Sequence, residues 1–144
     1  MLWKARNVIF KNEVVPLHPI SYLDAHRAWE LWGHLKEGCK DSGSGCDVLA
    51  IPHNSNISKG YMFDDKSLRG VPFTAESAAL RAKWEPVAEA TQIKGDSEAH
   101  PALSPNDPFA DFETYQHYIQ QDPPPYDPKA GDYIRSGLLR GLAI

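Results

Sequence analysis

The chain has 144 residues and a mass of 16.1 kDa, so residues 1–144 are predicted to form a single domain. Hydrophobic residue types make up 42% of it and charged types 24%, which excludes a disordered tail, a collagen-like repeat and a disulfide-dense miniprotein. No run approaches the roughly 18 apolar residues of a membrane span, and the charged N-terminus does not fit a signal peptide. We therefore expect a soluble protein that does not bind membranes. The formal charge of −4 argues against nucleic-acid binding.

The apolar pattern predicts strands that alternate with helices along the chain. A β-branched and aromatic run predicts a strand at 7–10, and a helix follows at about 25–38 with Trp29 and Trp32 in its packed face. Residues 47–52 (DVLAIP) predict a strand, and the continuous apolar run at 48–51 is typical of a strand that is covered on both faces. A helix at 75–84 begins near Thr74, a third strand lies at 87–93, and short helices lie near 108–117 and 132–142. This order predicts an α/β fold with a short parallel sheet and flanking helices.

Residues 95–128 differ from the rest of the chain in composition. They contain seven of the twelve prolines and seven acidic residues but no Lys or Arg. Proline has no amide hydrogen to donate within a sheet, so we expect a long, acidic, proline-rich loop region. Its carboxylates either form a solvated surface or include one or two that meet a cation.

Polar residues follow the second and third predicted strands, where parallel α/β folds usually place their chemistry. The candidate metal ligands are His53, Glu89 and Glu98, because imidazole and carboxylate groups bind divalent ions such as Zn, Mn or Fe. The candidate pocket residues around them are Asn54, Ser55, Asn56, Gln92 and Lys94. The alternatives are structural: His53 could bond a loop carbonyl, and Glu89 could form an ion pair.

The two cysteines leave the redox compartment open. Cys39 and Cys46 flank the turn-forming sequence DSGSG, so a disulfide is geometrically easy and would make a periplasmic location possible. Equally, each could be a small buried side chain. Their spacing does not match a zinc ribbon, and the chain has no H-E-x-x-H, G-x-S-x-G or G-x-G-x-x-G motif.

Three stretches resemble consecutive blocks of a bacterial family, domain of unknown function 3604: CDVLAIPHNSN at 46–56, EATQIKGDSE at 89–98 and DYIRSGLLRGL at 132–142. That family is in turn similar to the PHP (polymerase and histidinol phosphatase) hydrolases, whose distorted (β/α) barrel binds two or three divalent ions that activate water. The resemblance implies that the chain is the middle portion of such a barrel and that His53 is one metal ligand. The family's early histidine motif and late Ser-Asp-x-His-like motif have no counterpart here.

The resemblance therefore implies an incomplete ligand set and a fragment that is inactive alone. A small-molecule substrate and a homodimer that covers exposed sheet edges are expected for it. A non-catalytic domain that binds a partner through residues 95–128 is the alternative.

Overall fold

A computed structural model describes residues 5–66, 70–119 and 124–144 of the chain. Parts of the loops predicted at 60–72 and 95–128, including Asp122, lie outside these ranges. The described chain contains three α-helices and two small sheets of two strands each. None of the described helices has both the length and the apolar character needed to cross a membrane.

The first sheet pairs β1 (Arg6–Phe10) with β2 (Val48–Pro52), at the positions that the sequence predicts for two strands. The strands are antiparallel, with Arg6 opposite Pro52 and Phe10 opposite Val48. The predicted parallel sheet and partial (β/α) barrel are therefore wrong. An apolar run such as 48–51 indicates that a strand is covered, but it does not specify the direction of the neighbouring strand.

The second sheet is a hairpin of β3 (Thr91–Gln92) and β4 (Gly95–Asp96). It occupies the end of the third strand predicted at 87–93, and that strand is otherwise absent from the described chain. Gly95 has a φ of +97°, and a Cβ there would lie 2.3 Å from the Tyr115 Cβ. The hairpin therefore requires glycine at position 95. Each of its two strands is only two residues long.

The three helices lie close to their predicted positions: α1 is Ala28–Leu35, α2 is Ala75–Trp84 and α3 is Ile134–Gly141. A π-helical turn, Lys36–Lys40, extends α1. The Thr74 Oγ1 accepts a hydrogen bond from the Ser77 amide at 3.3 Å, which confirms Thr74 as the N-cap of α2. Residues 108–117 form turns and irregular chain instead of the predicted helix.

The core lies where α1 and its π-helical extension pack on β2 and the end of α2. Its buried members are Trp32, Leu35, Cys39, Cys46, Val48 and Trp84. Cys39 and Cys46 form a disulfide bond, one of the two states left open by the sequence. Trp32 is in the core as predicted, whereas Trp29 on the same helix is 44% exposed.

Candidate functional site

His53 lies directly after β2 and pairs with Glu89. Its backbone amide donates a hydrogen bond to the Ala5 carbonyl oxygen at 3.1 Å, which extends the β1–β2 ribbon by one bond. Its ring atom Nδ1 lies 2.9 Å from the Glu89 Oε2, and the side chains are 31% and 19% exposed, respectively. The ring is therefore neither sealed in the interior nor bonded to a loop carbonyl through Nδ1.

Both oxygens of the Glu89 carboxylate accept hydrogen bonds. Oε2 faces the His53 Nδ1, and Oε1 accepts from the backbone amide of Asn54 at 3.1 Å. Asn54 adopts left-handed backbone angles (φ 55°, ψ 50°), a conformation that asparagine tolerates better than most residues. The Glu89 amide also donates to the Pro52 carbonyl oxygen at 3.3 Å, so main-chain contacts hold the two segments together.

This pairing defines the tautomer of the neutral His53 ring. A carboxylate only accepts hydrogen bonds, so Nδ1 carries the proton and Nε2 carries the lone pair. Among the described residues, none forms a hydrogen bond to the His53 Nε2. Histidines that bind metals or abstract protons commonly have this arrangement, with a carboxylate on the opposite nitrogen.

Asn54 and Asn56 belong to a buried polar network that joins this segment to the β3–β4 hairpin. The Asn54 Nδ2 donates to the Asn56 Oδ1 at 2.7 Å, and the Asn56 Nδ2 donates to the Lys94 carbonyl oxygen at 2.8 Å. The Ser97 hydroxyl also donates to the Asn56 Oδ1, at 3.1 Å. Asn56 is completely buried, so the structure places it as a packing residue beneath the site rather than on a pocket wall.

The remaining predicted pocket residues are split between the interior and a separate surface. Ser55 is 2% exposed, and its hydroxyl and the Asn54 Oδ1 are buried without a hydrogen-bond partner in the described part of the chain. Gln92 instead lines a shallow cleft of about 470 Å³ beside the hairpin, together with Thr91, Ile93 and Tyr115. His53 and Glu89 do not line that cleft.

Glu98 is engaged elsewhere. Its Oε1 accepts a hydrogen bond from the Arg135 Nη2 at 2.8 Å, and Arg135 also pairs with Asp107. No contact between Glu98 and His53 occurs within the described ranges. The structure therefore brings together two of the three predicted metal ligands, His53 and Glu89, and gives Glu98 a different partner.

A second buried polar cluster beneath the site involves residues that sequence reasoning missed. Asp132 is completely buried and accepts hydrogen bonds from the Ser58 hydroxyl at 2.7 Å and from the Gly60 amide at 2.6 Å. Burial raises the pKa of Asp132, and those hydrogen bonds oppose the rise. The only sequence signal for this residue was its place at the start of the block at 132–142.

Two tyrosines connect that cluster to the candidate site. The Tyr126 hydroxyl donates to the Asn56 carbonyl oxygen at 2.9 Å and lies 2.5 Å from the Tyr133 hydroxyl. Burial raises the pKa of Tyr126 to about 12 and that of Tyr133 as well, so both hydroxyls stay protonated at neutral pH. The ring of His100 packs against both tyrosines. These contacts hold the chain that follows His53 in place at Asn56.

The described donors account for only part of a metal site. Within the ranges that the structure describes, no three His, Cys, Asp or Glu side chains come together as a candidate ion site. The His53 Nε2 fits one ligand position, whereas a structural or catalytic zinc ion takes about four ligands.

Comparison with known proteins gives one match. Residues 4–144 match the model of a family described as protein of unknown function (DUF3604). The chain belongs to this family. The match covers almost its whole length, which confirms the family resemblance carried by the three sequence blocks. No curated protein and no solved structure matches the chain significantly.

Proposed function

We propose that this DUF3604 chain contributes a histidine–carboxylate pair to a hydrolytic centre, in which the His53 Nε2 binds a divalent metal ion. The observation that carries the proposal is the bond between the His53 Nδ1 and Glu89, which in the neutral ring leaves the lone pair on Nε2. The resemblance to PHP hydrolases, which the family match does not itself establish, is the reason to name hydrolysis. Zn, Mn and Fe are the candidate ions, and a small molecule is the candidate substrate.

Each residue of the pair has a distinct task in this proposal. A bound ion of this type would lower the pKa of a coordinated water and so supply a nucleophile near neutral pH. Glu89 accepts a hydrogen bond from the His53 Nδ1–H and holds the imidazole plane, while the Asn54 amide donates to the second carboxylate oxygen. Glu89 is thus proposed as an orienting residue, because both of its oxygens already accept hydrogen bonds. Glu98, which pairs with Arg135, remains a weaker candidate ligand.

The proposal is tested by measuring metal content after incubation with Mn or Zn and removal of free ion. Wild-type protein should retain metal, and His53→Ala should retain none above background. His18→Ala is the matched control, since His18 is exposed and far along the chain from the pair. If wild type and His53→Ala retain equal amounts of metal, the proposed role of His53 is wrong.

A Glu89→Gln variant tests the orienting role separately. In glutamine an NH2 donor replaces one of the two carboxylate oxygens. When the remaining oxygen accepts from the Asn54 amide, the NH2 group faces the His53 Nδ1 and favours the tautomer that carries the proton on Nε2. Loss of a partner of this kind typically weakens metal affinity about 10- to 100-fold. Unchanged affinity in a folded Glu89→Gln protein would show that Glu89 forms only a structural ion pair.

A second copy of the chain is a candidate source of further ligands. In the described part of the chain the β1–β2 sheet has only two strands, so neither outer edge is paired with a further strand, which favours association with another chain. We propose a homodimer on this ground, to be tested by sedimentation equilibrium. A clean monomer at the concentrations used for metal binding would refute it.

A non-catalytic binding domain is the second candidate function. Phe109 and Phe112, in the proline-rich region, are 80% and 69% exposed, as residues of a protein-binding surface often are. A double Phe109→Ser, Phe112→Ser variant should lose any partner captured by the wild type and keep its metal. Loss of both properties would instead indicate misfolding.

A further inference from the structure

A cleft separate from the His53–Glu89 pair lies beside α1 and α2. Its volume is about 380 Å³, within the range of about 300–1,000 Å³ that small-molecule sites occupy. Aromatic side chains from three parts of the chain form much of its wall, namely Trp29, Trp32, Tyr61 and Phe73. Trp29 and Tyr61 are 44% and 42% exposed, so their rings are accessible to a planar apolar molecule.

The polar part of the cleft carries an excess of positive charge. Arg6 and Arg81 both line it, and they share one carboxylate, that of Glu85. The Arg6 Nε lies 2.7 Å from the Glu85 Oε1, and the Arg81 Nη2 lies 2.9 Å from the Glu85 Oε2. The charged side chains that line the cleft are three basic residues, Arg6, Lys66 and Arg81, and one acidic residue, Asp64.

Arg81 is the guanidinium with unused hydrogen-bonding capacity. Its Nη2 is within ion-pair distance of Glu85 but is not aligned as a hydrogen-bond donor, and its other nitrogens donate to no described residue. Its charged centre lies 4.8 Å from the ring centre of Phe63. Burial lowers the pKa of Arg81, because the charged form has lost contact with water. An acceptor oxygen would therefore be held strongly here.

The buried indole of Trp32 adds a second donor without a partner. Trp32 is 7% exposed, and its Nε1 forms no hydrogen bond within the described ranges. Buried N–H groups in native proteins are nearly always bonded, so this one points to an acceptor other than the described residues.

We propose that this cleft binds a small carboxylate with a flat, apolar body, of the arenecarboxylate class. The carboxylate pairs with Arg81, whose planar fork matches its two oxygens, and the ring system lies among Trp29, Tyr61 and Phe73. The basic side chains that line the cleft favour an anionic ligand over an uncharged one. This site does not depend on the proposed metal centre, and it can be tested in metal-free protein.

The test uses naphthalene-2-carboxylate and its uncharged amide, naphthalene-2-carboxamide, as probes in isothermal titration calorimetry. Wild-type protein should bind the acid with one site, at least about tenfold more tightly than the amide, because a hydrogen bond to a charged group contributes about that much. Arg81→Gln should remove the preference for the acid. Arg135→Gln, which changes an arginine outside the cleft, should keep it.

Trp29→Ala provides a second test that does not disturb the buried ion pair. Removal of this half-exposed ring should weaken the acid and the amide by similar factors and leave the preference for the acid intact. The proposal is overturned if neither probe binds, if wild type binds acid and amide equally, or if Trp29→Ala binds both as tightly as wild type. It is also overturned if Arg81→Gln, shown to be folded by circular dichroism, still prefers the acid.

Discussion

The disulfide between Cys39 and Cys46 gives the most quantitative prediction for stability. The two cysteines are seven positions apart, so the bond closes a loop of about eight residues. Loop-closure entropy for a ring of that size corresponds to about 2.5 kcal/mol at 25 °C. Both side chains already lie in the core, at 0% and 6% exposure, so two thiols would occupy nearly the same space. Reduction should therefore lower the free energy of unfolding by about 2.5 kcal/mol.

Urea denaturation with and without a phosphine reductant measures this difference. The double variant Cys39→Ala, Cys46→Ala is the control, and its unfolding free energy should not respond to the reductant. The reasoning fails if oxidised and reduced wild-type protein unfold with the same free energy. It also fails if a thiol assay under native conditions detects two free thiols.

Three further changes have definite expected outcomes. Glu85→Gln should lower the free energy of unfolding by about 3–5 kcal/mol in urea denaturation, because it removes the carboxylate that pairs with both Arg6 and Arg81. Glu98→Gln, at a half-exposed ion pair, should change it by less than about 1 kcal/mol. Gly131→Ala should lower the melting temperature, since its Cβ would lie 1.8 Å from a backbone carbonyl oxygen, whereas Gly141→Ala has open space and should not. Burial lowers the pKa of His100, so its contribution to stability is complete above about pH 6.5 and is lost as the pH falls through its lower, folded-state pKa. Unfolding free energies measured between pH 7.5 and 4.5 should show this loss of stability. The loss should be smaller in His100→Gln, and an unchanged dependence of the unfolding free energy on pH in that variant would contradict the role given to His100.

The sequence predicted the elements that local patterns specify. The strands β1 and β2, the helices α1, α2 and α3 and the N-cap Thr74 all lie close to their predicted positions. In these segments, the side-chain periodicity and the capping residue act within a few positions of the chain.

Strand direction and the short hairpin could not be predicted in the same way. Whether β2 runs parallel or antiparallel to β1 depends on how the intervening chain packs, and the composition of residues 48–52 is compatible with both. Of the third predicted strand only Thr91–Gln92 forms, as half of a hairpin whose other strand begins at Gly95, in close contact with Tyr115 twenty residues further along the chain. Contacts of that kind are set by tertiary packing rather than by local preference.

The candidate site shows the same division between local and distant contacts. His53 was predicted from its position directly after an apolar strand, and the structure places it there. Local sequence patterns could not distinguish Glu89 from Glu98 as the partner of His53. Glu98 instead forms an ion pair with Arg135, a residue that no local pattern connects to it. Asp132 and Tyr126 were missed for the same reason, since their roles come from contacts with residues 56–60. Tyr133 was missed because its partners are Tyr126 and His100.

The remaining question about Glu89 is whether it serves stability or chemistry, and the structure allows the two to be separated. Glu89 is 19% exposed, so removing its charge should lower the free energy of unfolding by only about 1 kcal/mol, as for a partly screened ion pair. Its effect on a metal bound at the His53 Nε2 should be larger, because the imidazole would lose the acceptor that fixes its tautomer. Unfolding and metal binding should therefore be measured on the same Glu89→Gln preparation. A large loss of stability with unchanged metal affinity would mean that the pair is purely structural and that the hydrolytic proposal loses its main support.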